Sequence, residues 1–295
     1  MDKPTFLKIS KITNENPFVK TFYFDHPLDS KPGQFVMLWI PGLDQKPFSI
    51  AYDDGQSFGL SIFKRGPTTE KLFGMSVGDR VGISGPYGTS FTVNPKLRYI
   101  MVAGGYGAAP LGCLAEALAN CHSEQHNCHP EPCLPAGRRA KRVEGSPIDF
   151  IAGSRNKDLL LFKDRLSKIP NLNLHITTDD GSAGHKGFVT DLLPDLIQNV
   201  IPAKAGIQSP VLVVTCGPEI MQKKVLDICN QYDVDCEVSI ERYMKCGVGV
   251  CGQCTADPIG ICLCQEGPVV KRAIANQITE FGKYHRDKSG AIISF

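Results

Sequence analysis

Five of the chain's twelve cysteines lie close together near its C-terminal end. Four residues separate Cys246 from Cys251, two separate Cys251 from Cys254, and Cys264 follows ten positions later. A C-x4-C-x2-C run with a distant fourth cysteine is the spacing of plant-type [2Fe–2S] proteins. The glycines interleaved in the run permit a tight loop that points backbone N–H groups at the sulfurs. The spacing therefore predicts a [2Fe–2S] cluster.

The residues alone leave two questions open about this cysteine run. Both Cys262 and Cys264 are available as the fourth ligand. The alternative to a cluster is a zinc ribbon, which usually carries two C-x2-C pairs, whereas the run contains a single such pair. The spacing favours the cluster over zinc.

Two segments of the N-terminal third carry residue types that suit a flavin dinucleotide. A basic residue beside a strand can pair with a phosphate, and a serine can hydrogen-bond a flavin ring nitrogen; the first segment has both, in Lys46-Pro47-Phe48-Ser49. The second segment places Gly66, Thr68 and Thr69 at a predicted helix start, where N–H groups and the helix dipole favour a pyrophosphate. The alternatives are an ordinary turn and a plain N-cap.

Two further turns suit a nicotinamide dinucleotide. A glycine-rich turn, in which Gly104, Gly105, Gly107 and Pro110 stand out, follows a buried strand and opens a helix. Cys216-Gly217-Pro218 ends a later strand and also opens a helix. Both turns fall at strand C-termini, and we expect them to converge on the crevice where open α/β sheets bind ligands.

The pattern of strands, helices and turns along the chain predicts three domains. Residues 1–96 alternate in short apolar runs and predict an antiparallel β-barrel that binds the flavin, with strands at Phe18–Phe24, Phe35–Ile40, Phe58–Phe63 and Arg80–Ser84. Residues 97–234 alternate strands and helices and predict an α/β nucleotide domain with a parallel sheet. Its strands are predicted at Arg98–Ala103, Ile148–Gly153, Leu172–Thr177 and Val211–Cys216, and its helices at Leu111–Asn120, Leu159–Lys168 and Pro218–Tyr232. Residues 235–295 form the small predicted cluster domain.

Two stretches of the middle domain, 121–147 and 200–210, lack any periodicity and are predicted to be disordered inserts. They resemble peptides translated from mobile palindromic repeats, and surface loops tolerate such length because loop closure costs rise slowly. The alternative for the first is a zinc site made from its cysteines and histidines, namely Cys121, His122, His126, Cys128, His129 and Cys133.

Composition narrows the class of protein further. A formal net charge of +2 with no block of like charge gives no case for nucleic acid or an anionic membrane. No apolar run approaches the ~20 residues of a membrane helix, and the N-terminus has no signal-peptide core. We therefore expect a cytoplasmic protein, in which clustered cysteines are metal ligands rather than disulfides.

The order of these motifs resembles the ferredoxin reductase superfamily and, within it, the electron transfer subunits of dihydroorotate dehydrogenase B. Lys46-Pro47-Phe48-Ser49 is similar to the family's Arg-Pro-x-Ser except at its first position, where lysine keeps the charge but loses the planar fork. The family's last cluster ligand directly precedes a Lys/Gln-Asp/Glu-Gly-Pro-Val turn, which here implies Cys264 and leaves Cys262 spare. The tail from Glu280 to Asp287 also resembles this subfamily.

The resemblance implies FAD, a [2Fe–2S] cluster and NAD as the electron acceptor. It implies an FMN-containing dihydroorotate dehydrogenase catalytic subunit as partner, in a heterotetramer of pyrimidine biosynthesis, and no orotate site on this chain. Rival readings are a sulfide dehydrogenase or NADPH–ferredoxin reductase type of subunit, and a redox-inactive zinc scaffold. The choice between NAD and NADP rests on Ser154-Arg155 and stays open.

Overall fold

The computed structural model describes residues 3–123, 147–200 and 210–295 of the chain. The predicted inserts fall almost wholly outside these ranges, as does most of the hypothetical zinc site. Within the described residues, no helix is long and apolar enough to cross a membrane.

The N-terminal third folds into a curled seven-stranded antiparallel sheet. Its elements are β1 (Thr5–Lys8), β2 (Lys11–Asn16), β3 (Val19–Phe24), β4 (Phe35–Ile40), β5 (Asp44–Asp53), β6 (Phe58–Phe63), α1 (Pro67–Phe73) and β7 (Arg80–Tyr87). The strand order is β1-β7-β4-β5-β6-β3-β2, so β1 and β2 are end strands that do not pair with each other. The sheet is therefore curled but open, whereas a barrel was predicted. All four predicted strands are present, and aromatic side chains such as Phe22, Phe24 and Phe58 fill the core.

The middle of the chain alternates strands and helices. Its elements are β8 (Arg98–Gly104), α2 (Ala108–Ser123), β9 (Ile148–Ser154), α3 (Lys163–Leu166), β10 (Leu172–Thr178), β11 (His185–Lys186), α4 (Val189–Val200), β12 (Val211–Cys216), α5 (Glu219–Gln231) and β13 (Asp235–Ser239). The predicted strands and two of the predicted helices are confirmed. The helix predicted over 159–168 is wrong in extent, because Phe162 adopts a left-handed φ of 60° and only α3 follows it.

The last part contains short elements and one strand that returns to the middle sheet. They are β14 (Thr255–Ala256), β15 (Ile261–Cys262), α6 (Leu263–Glu266), β16 (Val269–Lys271), α7 (Arg272–Ala275), β17 (Tyr284–Arg286) and β18 (Ile292–Ser294). The second sheet has the order β11-β10-β9-β8-β12-β13-β16, with β16 antiparallel to β13. The predicted boundary at residue 235 therefore falls inside this sheet, since β13 and β16 belong to it.

Side chains fasten the two sheets and the cysteine segment to one another. Glu237 on β13 is 4% exposed and accepts hydrogen bonds from the Thr92 backbone N–H and hydroxyl, in the connection between the sheets. Phe35 and Met37 of β4 share a buried cluster with Met244, Cys254 and other residues of the cysteine segment. The cysteine segment is therefore packed against the first sheet as well as inserted in the second.

Candidate functional site

Two segments singled out from the sequence meet at one cavity of about 640 Å³. Its wall includes Lys46, Pro47, Phe48 and Ser49 from β5, together with Gly66, Thr68 and Thr69 at the start of α1. The volume lies in the range of ordinary cofactor sites. The structure thus brings together the residues predicted to hold the flavin.

Lys46 is fixed within this wall by two neighbours. Its ammonium lies 2.8 Å from the Asp44 carboxylate, donates to the Tyr243 hydroxyl at 3.3 Å and stands 4.5 Å from the centre of that ring. Burial alone would lower the pKa of Lys46, but Asp44 and Tyr243 raise it above its usual value. Tyr243 stands three residues before Cys246, so this contact joins the flavin segment to the cysteine loop.

The turn at Gly66 is built differently from the prediction. The Thr69 hydroxyl accepts the N–H groups of Arg65 and Gly66 at 2.9 and 3.0 Å and donates to the Gly66 carbonyl at 2.9 Å. Thr69 is therefore used to shape the turn. Thr68 is 5% exposed and lines the same cavity as Lys46.

The two turns of the nucleotide domain converge as predicted. A second cavity of about 590 Å³ is lined by Gly104, Gly105 and Pro218, whereas Pro110 and Cys216 line the first. A Cβ on Gly107 would lie 2.0 Å from the Cys216 carbonyl oxygen, so only glycine lets the turns approach this closely. Gly217, with a φ of 141°, packs against the Gly104 backbone in the same way.

Cys216 is the one cysteine of the described residues that lines the first cavity. It is 4% exposed, and burial raises its pKa to about 12. The side chain is accordingly a neutral thiol at physiological pH, suited to contact rather than to nucleophilic chemistry.

Phe63 and Tyr106 line both cavities and so form the partition between them. Their ring centroids are 6.1 Å apart, and the Tyr106 hydroxyl donates to the Glu241 carboxylate at 3.1 Å. Glu241 is exposed overall, but the protein atoms around its carboxyl raise the pKa of that group, although the Tyr106 hydrogen bond and Arg65 act against the rise. Sequence reasoning missed all three residues, because their meeting depends on how β6, the glycine-rich turn and β13 pack.

The cysteine loop shows the N–H···S geometry expected of a cluster loop. Gly249 N–H donates to Cys264 Sγ at 3.1 Å, and Cys264 N–H donates to Cys254 Sγ at 3.4 Å. Burial would raise the pKa of Cys246, yet hydrogen bonds from the backbone N–H groups of Val248 and Cys251 bring it down to about 7. Lowering a thiol pKa favours the thiolate that binds iron, whereas burial raises the pKa of Cys254 and that of Cys264, so these two sulfurs depend on the metal itself to become thiolates.

Cys262 makes a different set of contacts. Its sulfur lies 3.6 Å from the Thr255 hydroxyl, and its N–H donates to the Glu266 carboxylate at 3.0 Å. Cys264 is buried and hydrogen-bonded to the loop that carries Cys246. These contacts favour Cys264 as the fourth ligand.

The donor set fits a two-iron cluster. Gly247, Gly249 and Gly252 all have positive φ, between 65° and 75°, which the tight loop requires. A Cβ on Gly247 would also meet Met37 of the first sheet at 2.7 Å. In the described part of the chain, no group of three or more His, Cys, Asp or Glu side chains lies close enough together to hold a metal ion, so the fit of the loop to a cluster rests on its four cysteines and its backbone conformation.

Comparison with solved structures defines the fold. The chain matches a structure described as an NADH-dependent reduced ferredoxin-NADP oxidoreductase with a TM-score of 0.73, 24% identity and 95% of each chain covered. It matches a ferredoxin-NADP+ reductase from Plasmodium falciparum with a TM-score of 0.59 and 16% identity, over 77% of this chain and 91% of that one. The fold is therefore that of the ferredoxin reductases.

Sequence comparisons then specify the family. Residues 241–273 match the model for the iron–sulfur cluster binding domain of dihydroorotate dehydrogenase B. A protein of Methanocaldococcus jannaschii named as the probable electron transfer subunit of dihydroorotate dehydrogenase B (NAD(+)) is 41% identical over 100% of both chains. A protein of the same name from Pyrococcus horikoshii is 38% identical over 93% of this chain and 92% of its own. The chain belongs to the family of dihydroorotate dehydrogenase B electron transfer subunits.

Proposed function

We propose that this chain carries electrons from the FMN of a dihydroorotate-oxidising partner subunit, through a [2Fe–2S] cluster and FAD, to NAD+. The observation that carries the proposal is the adjacency of three sites. The flavin cavity shares the Phe63–Tyr106 partition with the second cavity and shares the Lys46–Tyr243 contact with the cysteine loop.

The chemistry of the implied groups explains why three sites must adjoin. An iron–sulfur cluster passes single electrons, nicotinamide accepts a hydride, and a flavin can do both. The protein's own part is to bind and orient. Four thiolates hold the cluster, from Cys246, Cys251, Cys254 and Cys264.

The residues of the two cavities divide the remaining binding roles. Lys46 and Thr68 are suited to the flavin's phosphates, and Ser49 to its ring. The paired turns at Gly104–Gly107 and Cys216–Pro218 bring the nicotinamide dinucleotide to the partition from the other side. Tyr106 and Phe63 exclude water from the space between the two ligands.

The exposed edge of the cysteine loop is suited to a partner subunit. Val250 is 76% exposed and stands beside Cys251, which is also exposed. An apolar side chain this open next to a redox centre is suited to burial against another chain. We propose that the FMN subunit docks here, two copies of each chain forming a heterotetramer.

One spectrum of the anaerobically purified protein tests the proposal. We expect flavin and iron–sulfur absorption, iron with labile sulfide, and bleaching of the flavin band on addition of NADH. A colourless protein that contains zinc would refute it and favour the scaffold alternative. Co-purification with a dihydroorotate-oxidising partner separates the proposal from the sulfide dehydrogenase and NADPH–ferredoxin reductase types.

A further inference from the structure

The C-terminal hairpin of β17 and β18 places a lysine in the wall of the first cavity. Its turn residue Lys288 lines that cavity together with Lys46. Asp287 shapes the turn, since its carboxylate accepts the N–H groups of Ser289 at 2.8 Å and Ala291 at 3.1 Å. The turn is thus held in one conformation, and Lys288 projects from a defined point.

The hairpin is fastened to the cysteine segment. Gln253, which directly precedes Cys254, donates from its side-chain amide to the Asp287 carbonyl at 3.2 Å. Arg286 forms an ion pair with Asp257 at 2.9 Å. The cysteine segment therefore positions the hairpin, and the hairpin positions Lys288 at the flavin cavity.

Lys288 adds a positive charge to a cavity whose other charges largely offset one another. Four cations and two carboxylates line it: Lys46, Arg65, Arg242 and Lys288, with Asp44 and Glu241. Arg242 is held by two further buried carboxylates, Glu219 and Glu280, behind the wall. Without Lys288, three cations and two carboxylates would line the cavity, and one of those cations, Arg242, is already neutralised by buried carboxylates, so little positive charge would be left for a pyrophosphate.

We propose that Lys288 is a phosphate-binding residue of the flavin site, which makes the C-terminal hairpin one wall of that site. The inference rests on the proposed function, because a pyrophosphate enters this cavity as part of FAD. An ammonium binds phosphate as a point charge on a flexible stem, which suits a residue that reaches in from a turn. Lys46 is already engaged by Asp44, so a second lysine supplies charge that the first does not.

The test compares Lys288→Gln with Lys283→Gln in the full-length protein. Lys283 is an exposed lysine at the base of the same hairpin and lines neither flavin nor nucleotide cavity. Each holoprotein is equilibrated with FAD or with riboflavin by exchange dialysis, and the retained flavin is measured by its visible absorption. We expect Lys288→Gln to raise the Kd for FAD about tenfold, equivalent to about 1.4 kcal/mol. Riboflavin, which lacks phosphate, should bind unchanged.

Further variants and outcomes make the test decisive. Lys288→Arg should keep FAD affinity within about twofold of the unaltered protein, since charge is what matters. An unchanged Kd for FAD in Lys288→Gln would overturn the inference, and so would an equal loss of riboflavin, which would mean that the hairpin acts through packing. Unaltered protein that retains neither flavin would overturn the proposed function itself, a result distinct from both.

Discussion

Replacing Arg242 by methionine should be one of the most destabilising single changes in this protein. Its guanidinium lies 2.5 Å from the Glu219 carboxylate and 2.8 Å from that of Glu280. The three side chains are 3%, 6% and 1% exposed. Methionine fills a similar space without charge, so both carboxylates would be left buried and unpaired.

Removing one partner of a buried ion pair typically costs about 3–5 kcal/mol, because the remaining charge loses its compensation. Two carboxylates depend on Arg242, so we expect the upper part of that range. Glu280 already has one carboxylate oxygen without a partner among the described residues. For a chain of this size the loss corresponds to a fall in the thermal midpoint on the order of 10 °C.

Arg272→Met provides the matched control. Arg272 pairs at 2.9 Å with Asp233, whose side chain is 90% exposed. Exposed pairs contribute about 0–1 kcal/mol, so this variant should melt within a few degrees of the unaltered protein. Differential scanning fluorimetry of both variants at one flavin concentration makes the comparison. An equal fall in the thermal midpoint of both variants would refute the reasoning from burial. Recovery of the thermal midpoint of Arg242→Met on addition of salt alone would refute it as well.

Three further predictions follow from the cysteine loop, the nucleotide turn and the second sheet. Cys264→Ser should abolish the iron–sulfur absorption, whereas Cys262→Ser should keep it; the reverse result would reassign the fourth ligand. Gly107→Ala would place its Cβ 2.0 Å from a backbone carbonyl oxygen and should weaken NADH binding at least tenfold by titration, whereas Gly112→Ala, where the nearest atom is 3.6 Å away, should bind normally. Burial of Asp149 acts to raise its carboxyl pKa, but hydrogen bonds from histidine, arginine and asparagine side chains lower it overall. Its stabilising effect is therefore present above the unfolded pKa of about 3.9 and lost as pH falls through the folded value, so Asp149→Asn should flatten the acid limb of the melting curve.

The sequence was most informative where the chemistry is local. The cluster spacing lies within nine residues, from Cys246 to Cys254, and its loop glycines have the positive φ that the tight loop required. The turns at Gly104 and Cys216 were readable for a similar reason, since each lies between a buried strand and a helix. Strand positions in both sheets also followed from short apolar runs.

Other features depend on packing that no local pattern reports. Tyr106 and Glu241 are 135 positions apart, and they meet because β8 and β13, the two strands that flank β12, end at the same edge of one sheet. The helix predicted over 159–168 is shorter because Phe162 adopts a left-handed conformation, and its ring packs against a buried cluster that includes Leu161 and Leu166. The short strand β16 was missed because its three residues carry too little pattern to distinguish them from a loop.

The pairing of β13 with β16 has a consequence for how such proteins gain or change redox centres. The whole cysteine segment is an excursion that leaves one strand and comes back to its neighbour, with Ser239 opposite Val269 at the point of departure. Both ends of the segment are held side by side by backbone hydrogen bonds of the sheet itself. Protein atoms alone therefore set where the segment begins and ends, and a chain that has lost its iron should keep this attachment.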